Sequence, residues 1–402
     1  MKTPLPVFDS LEYIANHFTF TVDSLHEADY LKAFEFLKNY IGSQGTFNAY
    51  RREVERLLHW CTHISCKTLG ELKRQDIEEF ILFCQKPPQA WIGIHKVPRF
   101  VDQDGQRVAN PQWRPFTVTV SKAAHRKGER PDPKHFALSQ SAIKDMFAIL
   151  GSFYNYLLQE EYVNINPVAL IRQKSKFIRK FQGQPRIRRL SDRQWQYVIE
   201  TAQHMATSQP QSHERTLFIM SALYALYLRI SELAASKRWE PLMSHFYRDG
   251  EENWWFVTVG KGNKQRQIAV SDAMLAALKR WRQHLGLTAL PSPADVLPLL
   301  PKTRGQGPIS NTSYIRKIVQ GCFDKAIVNL THDGFEEEAD ALNQATVHWL
   351  RHTGISDDVK RRPREHVRDD AGHGSGAITD KYIDIQLRER HKSAKHKRIQ
   401  EA

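Results

Sequence analysis

The sequence predicts a mainly α protein with one small β-sheet, divided into two domains. Apolar residues recur at helical spacing through most of the chain, whereas β-rich alternation is confined to short runs. A stretch at 172–189 holds eight Lys or Arg and no acid, and it separates two blocks long enough to bury a core each. The expected order is a leader (1–20), a helical domain (21–171) with an insertion at about 86–137, a basic linker (172–189), a second domain (190–384) and a tail (385–402).

In the first block the helical pattern starts at Ser24, with Ala28, Leu31, Phe34, Phe36 and Leu37 as its apolar stripe. A second amphipathic helix follows over 46–61, with Thr46 as its N-cap and Arg51 and Arg52 near its start. A third spans 69–84 and ends before Pro87 and Pro88; a fourth spans 138–163, before Asn166 and Pro167. Between them, 96–101 and 113–120 read as strands, and Asp104-Gly105 is a turn signal, so a β-hairpin is expected. The loop at 121–135 is basic. This insertion reads equally as an extension of a ligand footprint and as solvated surface.

The second block opens with Ser191 as N-cap of a helix over 191–205, followed by an apolar helix at 215–228. Strands are expected at 254–260 and 265–271 around the turn at 260–264. Helices at 272–286 and 311–330 flank a Pro-rich loop, and an acidic loop leads to a helix carrying His348 and Arg351.

Lys and Arg number 58 against 44 Asp and Glu, a net charge of +14 with pI near 9.5. That excess points to a polyanion, nucleic acid first. No apolar run approaches the ~20 residues that span a bilayer, and the start carries no apolar signal region. Four cysteines without a disulfide-like framework fit a reducing cytosol. The cluster His59, Cys61, His63 and Cys66 holds metal-ligand types, but no second ligand pair at zinc-finger spacing accompanies it, so no metal site and no cofactor are expected. Internal repeats and low-complexity segments are absent.

The informative spacing lies in 346–384. His348 and Arg351 are three residues apart, His373 follows at twenty-two and Tyr382 nine later. Upstream, Arg229 ends an apolar helix in LYLRISEL, and Lys261 sits in the turn GKGNK. This ordered set resembles the active site of tyrosine recombinases, the phage-integrase family. The four helices of the first block look like the family's core-binding (SAM-like) domain, and the second block like its catalytic domain, a two-domain DNA clamp.

The resemblance implies roles. Tyr382 is the nucleophile, giving a 3′-phosphotyrosyl link and a free 5′-hydroxyl. His348 takes the phenol proton, Lys261 protonates the leaving oxygen, and Arg229, Arg351 and His373 hold the phosphate. The residue types agree with what the chemistry requires: charge builds on non-bridging oxygens, and a guanidinium fork pairs two of them. The covalent link stores the energy, so strand transfer needs neither ATP nor metal. Each residue also has an ordinary reading: Arg229 as the i+3 partner of Glu232, Lys261 as an exposed turn lysine with Lys264 and Arg266 as neighbours, the histidines as structural.

Three positions depart from the family pattern. Tyr227 stands where Gly is common, 357–370 is unusually charged, and Ala371-Gly372 replaces the commoner Leu-Gly before His373.

The implied partner is double-stranded DNA, bound by a homo-oligomer, a tetramer in the synapse, with accessory proteins a possibility, in the cytoplasm on the nucleoid. DNA contacts are expected from Arg51, Arg52, Lys174, Lys176, Arg179, Lys180, Arg186, Arg188, Arg189, Lys264 and Arg266. Integration, excision or transposition of a mobile element is the implied job. The alternatives are Xer-like dimer resolution and a DNA-binding protein of this fold without cleavage. The two-domain layout and the HxxR pattern argue against a type IB topoisomerase. The tail, starting at Ile383, Ile385 and Leu387, reads either as a contact to a neighbouring protomer or as a basic segment on DNA.

Overall fold

Helices carry most of the backbone in the computed structural model, which describes residues 3–14, 24–126, 128–171, 177, 188–260 and 262–374. The chain divides into two units, Met1–Gly183 and Gln184–Ala402, each with its own apolar core. The linker residues Lys174, Lys176, Arg179, Lys180 and Arg186, as well as Lys261, Tyr382 and the tail, lie outside the described residues.

The first unit contains α1 (Leu11–Ile14), α2 (Glu27–Lys38), α3 (Gln44–Trp60), α4 (Arg74–Gln85), the strands β1 (Ile92–Gly93), β2 (Phe100–Gln103), β3 (Gln106–Ala109) and β4 (Phe116–Thr117), then α5 (Lys122–Arg126) and α6 (Gln140–Gln159). Phe36, Phe47, Leu57, Phe80, Leu150 and Phe153 meet in its core, each burial contributing about 1.5–3 kcal/mol. On α2 the buried apolar face is Tyr30, Ala33, Phe36 and Leu37, at i, i+3, i+6 and i+7; Ala28 and Leu31 of the expected stripe are exposed. Helix α3 starts earlier than expected. Ser43 is its N-cap, and Thr46 lies in the first turn with its hydroxyl 2.9 Å from that of Ser43. Ser139 caps α6 by accepting from the Ala142 amide.

The hairpin turns at Asp104-Gly105 as expected, both with positive φ, but its return strand is β3 rather than 113–120. Part of that second run forms β4, which pairs in parallel with β1. Two-residue turns favour an immediate antiparallel partner, and this local pairing took precedence over the more apolar run further on.

The second unit contains α7 (Asp192–Ser208), α8 (Pro210–Ala225), α9 (Ile230–Leu233), β5 (Phe246–Arg248), β6 (Trp254–Val259), β7 (Gln265–Ala269), α10 (Asp272–His284), α11 (Thr312–His332), α12 (Glu336–Leu342), α13 (Val347–Asp358) and α14 (Arg364–Ala371). Ser191 caps α7, its hydroxyl accepting from Gln194 N while the Gln194 side chain accepts from Ser191 N. Helix α8 buries residues around most of its circumference and packs against α7, α10 and α13, the signature of a central helix. The sheet is antiparallel in the order β5-β6-β7, so β5 adds a strand to the expected pair. The acidic stretch expected as a loop forms α12, whose first turn holds Glu336, Glu337 and Glu338, where carboxylates favour the helix dipole.

Helix α13 reaches α8 through Gly354. A Cβ there would stand 2.1 Å from the Tyr224 carbonyl oxygen. That close approach sets the depth at which the His348–Arg351 helix sits.

Candidate active site

The backbone before Arg229 turns sharply. Tyr227, just past the end of α8, has φ +49, the left-handed region that glycine enters without cost, which is why glycine suits this position. Here tertiary contacts hold a tyrosine in it. Its ring is buried with Ile355, Val367 and Ala371, and its hydroxyl pairs with Asp358 and accepts from Arg362 at 3.1 Å. The turn places Arg229 at the N-cap of α9.

Arg351 is 4% exposed, and donates to the carbonyls of Tyr227 and, at 2.6 Å, Ala371. It thus joins the end of α8 to the end of α14. The charged segment 357–370 folds inward on the same principle: Arg362 pairs with Asp358 and, at 2.6 Å, with Asp370. Helix α14 ends at Gly372, with φ +64, and His373 follows with its amide donating to Arg368 O. A Cβ on Gly372 would lie 2.8 Å from Arg266 Cδ, so glycine is required there for space as well as for conformation.

These elements surround a cleft of about 1100 Å³ lined by Arg229, His348, Arg351 and His373, together with Arg188, Lys264, Arg266, Trp349 and His352. The four expected residues that are described, Arg229, His348, Arg351 and His373, therefore meet in one place. Gly260 donates to Lys264 O at 2.8 Å, closing the hairpin turn whose rim adds Lys264 to the cleft.

The cleft lowers the proton affinity of its imidazoles. Burial, then the charges of Arg351 and Arg229, push His373 down to about 4. Burial, His348 and Arg351 push His352 down to about 4. His348 is lowered by burial and by Arg351, Arg229 and Arg316. A neutral imidazole offers one donor and one acceptor, the state a proton acceptor needs. With Arg229 and Arg351 beside these imidazoles, the cleft is suited to receive an anion.

Sequence reasoning passed over His352. It stands one turn beyond His348 on α13, their ring centroids 6.2 Å apart; its i+4 spacing from His348 was the available signal. The pairing of Glu232 with Arg229 is present, Nη1 to Oε1 at 2.8 Å. Burial alone would raise the Glu232 carboxyl, but hydrogen bonds and charge from Arg266, with Arg229, bring it below its usual range.

Two arginines of the expected DNA-contact set have their guanidinium groups engaged within the protein. Arg266 is partly buried and uses all three nitrogens, on Glu232 and on Asp370 O. Arg51 donates to Asp9 O and Asn48, lies over the Phe47 ring and is brought down to about 10 by burial. Arg52 pairs with Glu53 at 2.6 Å but stays half exposed. Arg188 is exposed on the cleft, and Arg189 approaches Asp357 at 3.7 Å. Of the His/Cys cluster, His59 and Cys61 are buried, the latter as a free thiol, His59 stacks on His63 with ring centroids 5.9 Å apart, and Cys66 is exposed. Among the described residues no three His, Cys, Asp or Glu side chains are gathered as a metal site, and no helix is long and apolar enough to cross a membrane.

No protein-family model matches the chain. Curated proteins do. Tyrosine recombinase XerC of Alcanivorax borkumensis is 29% identical over 175 residues, 42% of this chain and 48% of that protein. Tyrosine recombinase XerD of Rickettsia bellii is 25% identical over 146 residues, 36% of this chain and 44% of that protein. Over these segments the chain is similar to tyrosine recombinases.

Solved tyrosine recombinases share the fold along nearly the whole chain. The XerH site-specific recombinase bound to a palindromic difH substrate superposes with TM-score 0.54 at 14% identity, covering 98% of this chain and 99% of that one. The Tn1549 transposon integrase in complex with a circular intermediate DNA gives 0.50 at 14% identity, covering 90% and 98%. In sequence, the chain spans about half the length of the curated tyrosine recombinases it matches.

Proposed function

We propose that this protein is a tyrosine recombinase that cuts and rejoins double-stranded DNA site-specifically through a 3′-phosphotyrosyl intermediate, as the integrase or transposase of a mobile element. The observation that carries this is the cleft that gathers Arg229, Arg351, His348 and His373. A phosphodiester fits such a site because guanidinium forks and imidazole donors match its non-bridging oxygens. The Tyr382 oxygen attacks phosphorus while the bond to the 5′-oxygen breaks. The phenol proton passes to neutral His348, and Lys261 protonates the departing 5′-oxygen. A 5′-hydroxyl from the partner strand then attacks the phosphotyrosine, releasing Tyr382 and completing the exchange. The enzyme works in the cytoplasm as a tetramer on two duplexes.

The test uses nicked duplexes from the DNA flanking its own gene. A covalent adduct that survives denaturing gels, mapped to Tyr382 by mass spectrometry, is the expected result, and Tyr382→Phe abolishes it while binding persists. An adduct in the Tyr382→Phe protein overturns the assignment of the nucleophile. The likeness to XerC and XerD favours a second reading, Xer-like resolution of replicon dimers. Recombination at a replicon site, with none at the gene's flanks, would select it.

A further inference from the structure

Arg266 lines the cleft, yet all three of its guanidinium nitrogens are engaged by the protein itself. It projects from β7, opposite Thr258 of β6, and is 9% exposed. Its Nη1 and Nη2 each lie 2.8 Å from Glu232, on Oε1 and Oε2 respectively, and its Nε donates to Asp370 O at 2.9 Å. Glu232 is 1% exposed, and its two oxygens also accept Arg229 Nη1 and the Arg229 backbone amide, both at 2.8 Å. One buried carboxylate thus carries two guanidinium groups, and the more exposed of them, Arg229 at 28%, faces the cleft.

The charge balance follows. With Arg266 present, two positive groups share one negative group, and the surplus charge resides on the side of Arg229. Without it, Arg229 and Glu232 form a neutral pair, and a phosphate must compete with a carboxylate already in contact. Low local polarizability makes that competition costly.

The same side chain links two other parts of the site. A Cβ on Gly260, the residue before Lys261, would stand 3.0 Å from Arg266 Nη1, 3.1 Å from Glu232 Oε1 and 3.4 Å from Arg229 Nη1. At the other end, Gly372, the residue before His373, packs against Arg266 Cδ. Both glycines leave room for the guanidinium to pass between the lysine turn and the histidine.

We propose that Arg266 is a positioning residue for cleavage: it shares Glu232 with Arg229 so that the pair keeps a net positive charge toward the scissile phosphate, and it packs between Gly260 and Gly372, fixing the end of β6 against the end of α14. This rests on the reading of the cleft as a phosphodiester site. Arg266 touches no DNA in this role.

The experiment uses the full chain and a nicked duplex, with first-order adduct formation, DNA affinity and thermal melting measured together. Arg266→Met is expected to slow adduct formation by about 100-fold, the scale of losing one preorganised charge contact. Adding Glu232→Gln removes the competitor for Arg229 and restores about tenfold or more. A purely architectural role predicts the reverse, since the second change removes further hydrogen bonds. Should Arg266→Met melt below the assay temperature, Arg266→Gln, which keeps a hydrogen bond to Glu232 without the charge, carries the same two expectations. The proposal is overturned if the single variant cleaves at the wild-type rate per folded molecule, or if the double variant is no faster than the single. Absence of any adduct with the wild-type protein on duplexes it binds overturns the recombinase reading, and this one with it.

Discussion

His348, His352 and His373 share one cleft with Arg229 and Arg351, and this neighbourhood ties stability to pH. His352 and His373 fall from 6.5 to about 4 in the folded chain. The unfolded chain therefore binds more protons between these values, so stability is complete above pH 6.5 and is lost as pH falls toward 4. The urea midpoint should drop from pH 7 to pH 5, and His352→Gln should flatten that drop. An unchanged slope in the variant would mean that His352 is as easily protonated in the fold as outside it. Bound phosphodiester opposes the effect, because an anion stabilises the protonated ring.

Helix α13 owes its position to a missing side chain. Gly354→Ala places a carbon where the Tyr224 carbonyl oxygen stands, so either the helix or the end of α8 must move. Overpacking of this kind costs about 1–3 kcal/mol, sometimes more, and each kcal/mol lowers the melting temperature of a unit this size by about 2–4 °C. Adduct formation per folded molecule should fall too, since His348 and Arg351 ride on the displaced helix. A variant that melts and cleaves like wild type would show that the two helices have slack. At this scale much was legible: the cap at Ser191, the apolar helices and the Asp104-Gly105 turn are local signals. The return strand β3, the edge strand β5 and helix α12 were not, because short elements are chosen by partners distant in sequence.

The net charge of +14 overstates the cationic surface, since arginines such as Arg51 and Arg266 are turned onto carbonyls and carboxylates of the protein. Salt dependence separates the two kinds. Arg188→Ala with Lys264→Ala should weaken DNA binding and reduce the log–log salt slope by about 2, near 0.9 for each lost phosphate contact. Arg51→Ala should leave the slope unchanged and destabilise the first unit, where it spans α3 and the leader. A slope that falls equally in Arg51→Ala would place that residue on DNA after all.

By itself the sequence determined the helical class, the order Arg229, His348, Arg351 and His373, and the excess of positive charge, because periodicity, spacing and composition are properties of the chain in order. Only the tertiary structure decided which cations face the cleft and which are consumed inside, and that Tyr227 is held in a left-handed backbone by buried contacts. These outcomes depend on contacts between segments more than a hundred residues apart, such as Arg266 with Asp370 and Tyr227 with Asp358. The energy of a buried charge is set by whichever partner the fold brings to it, and no local pattern encodes that partner.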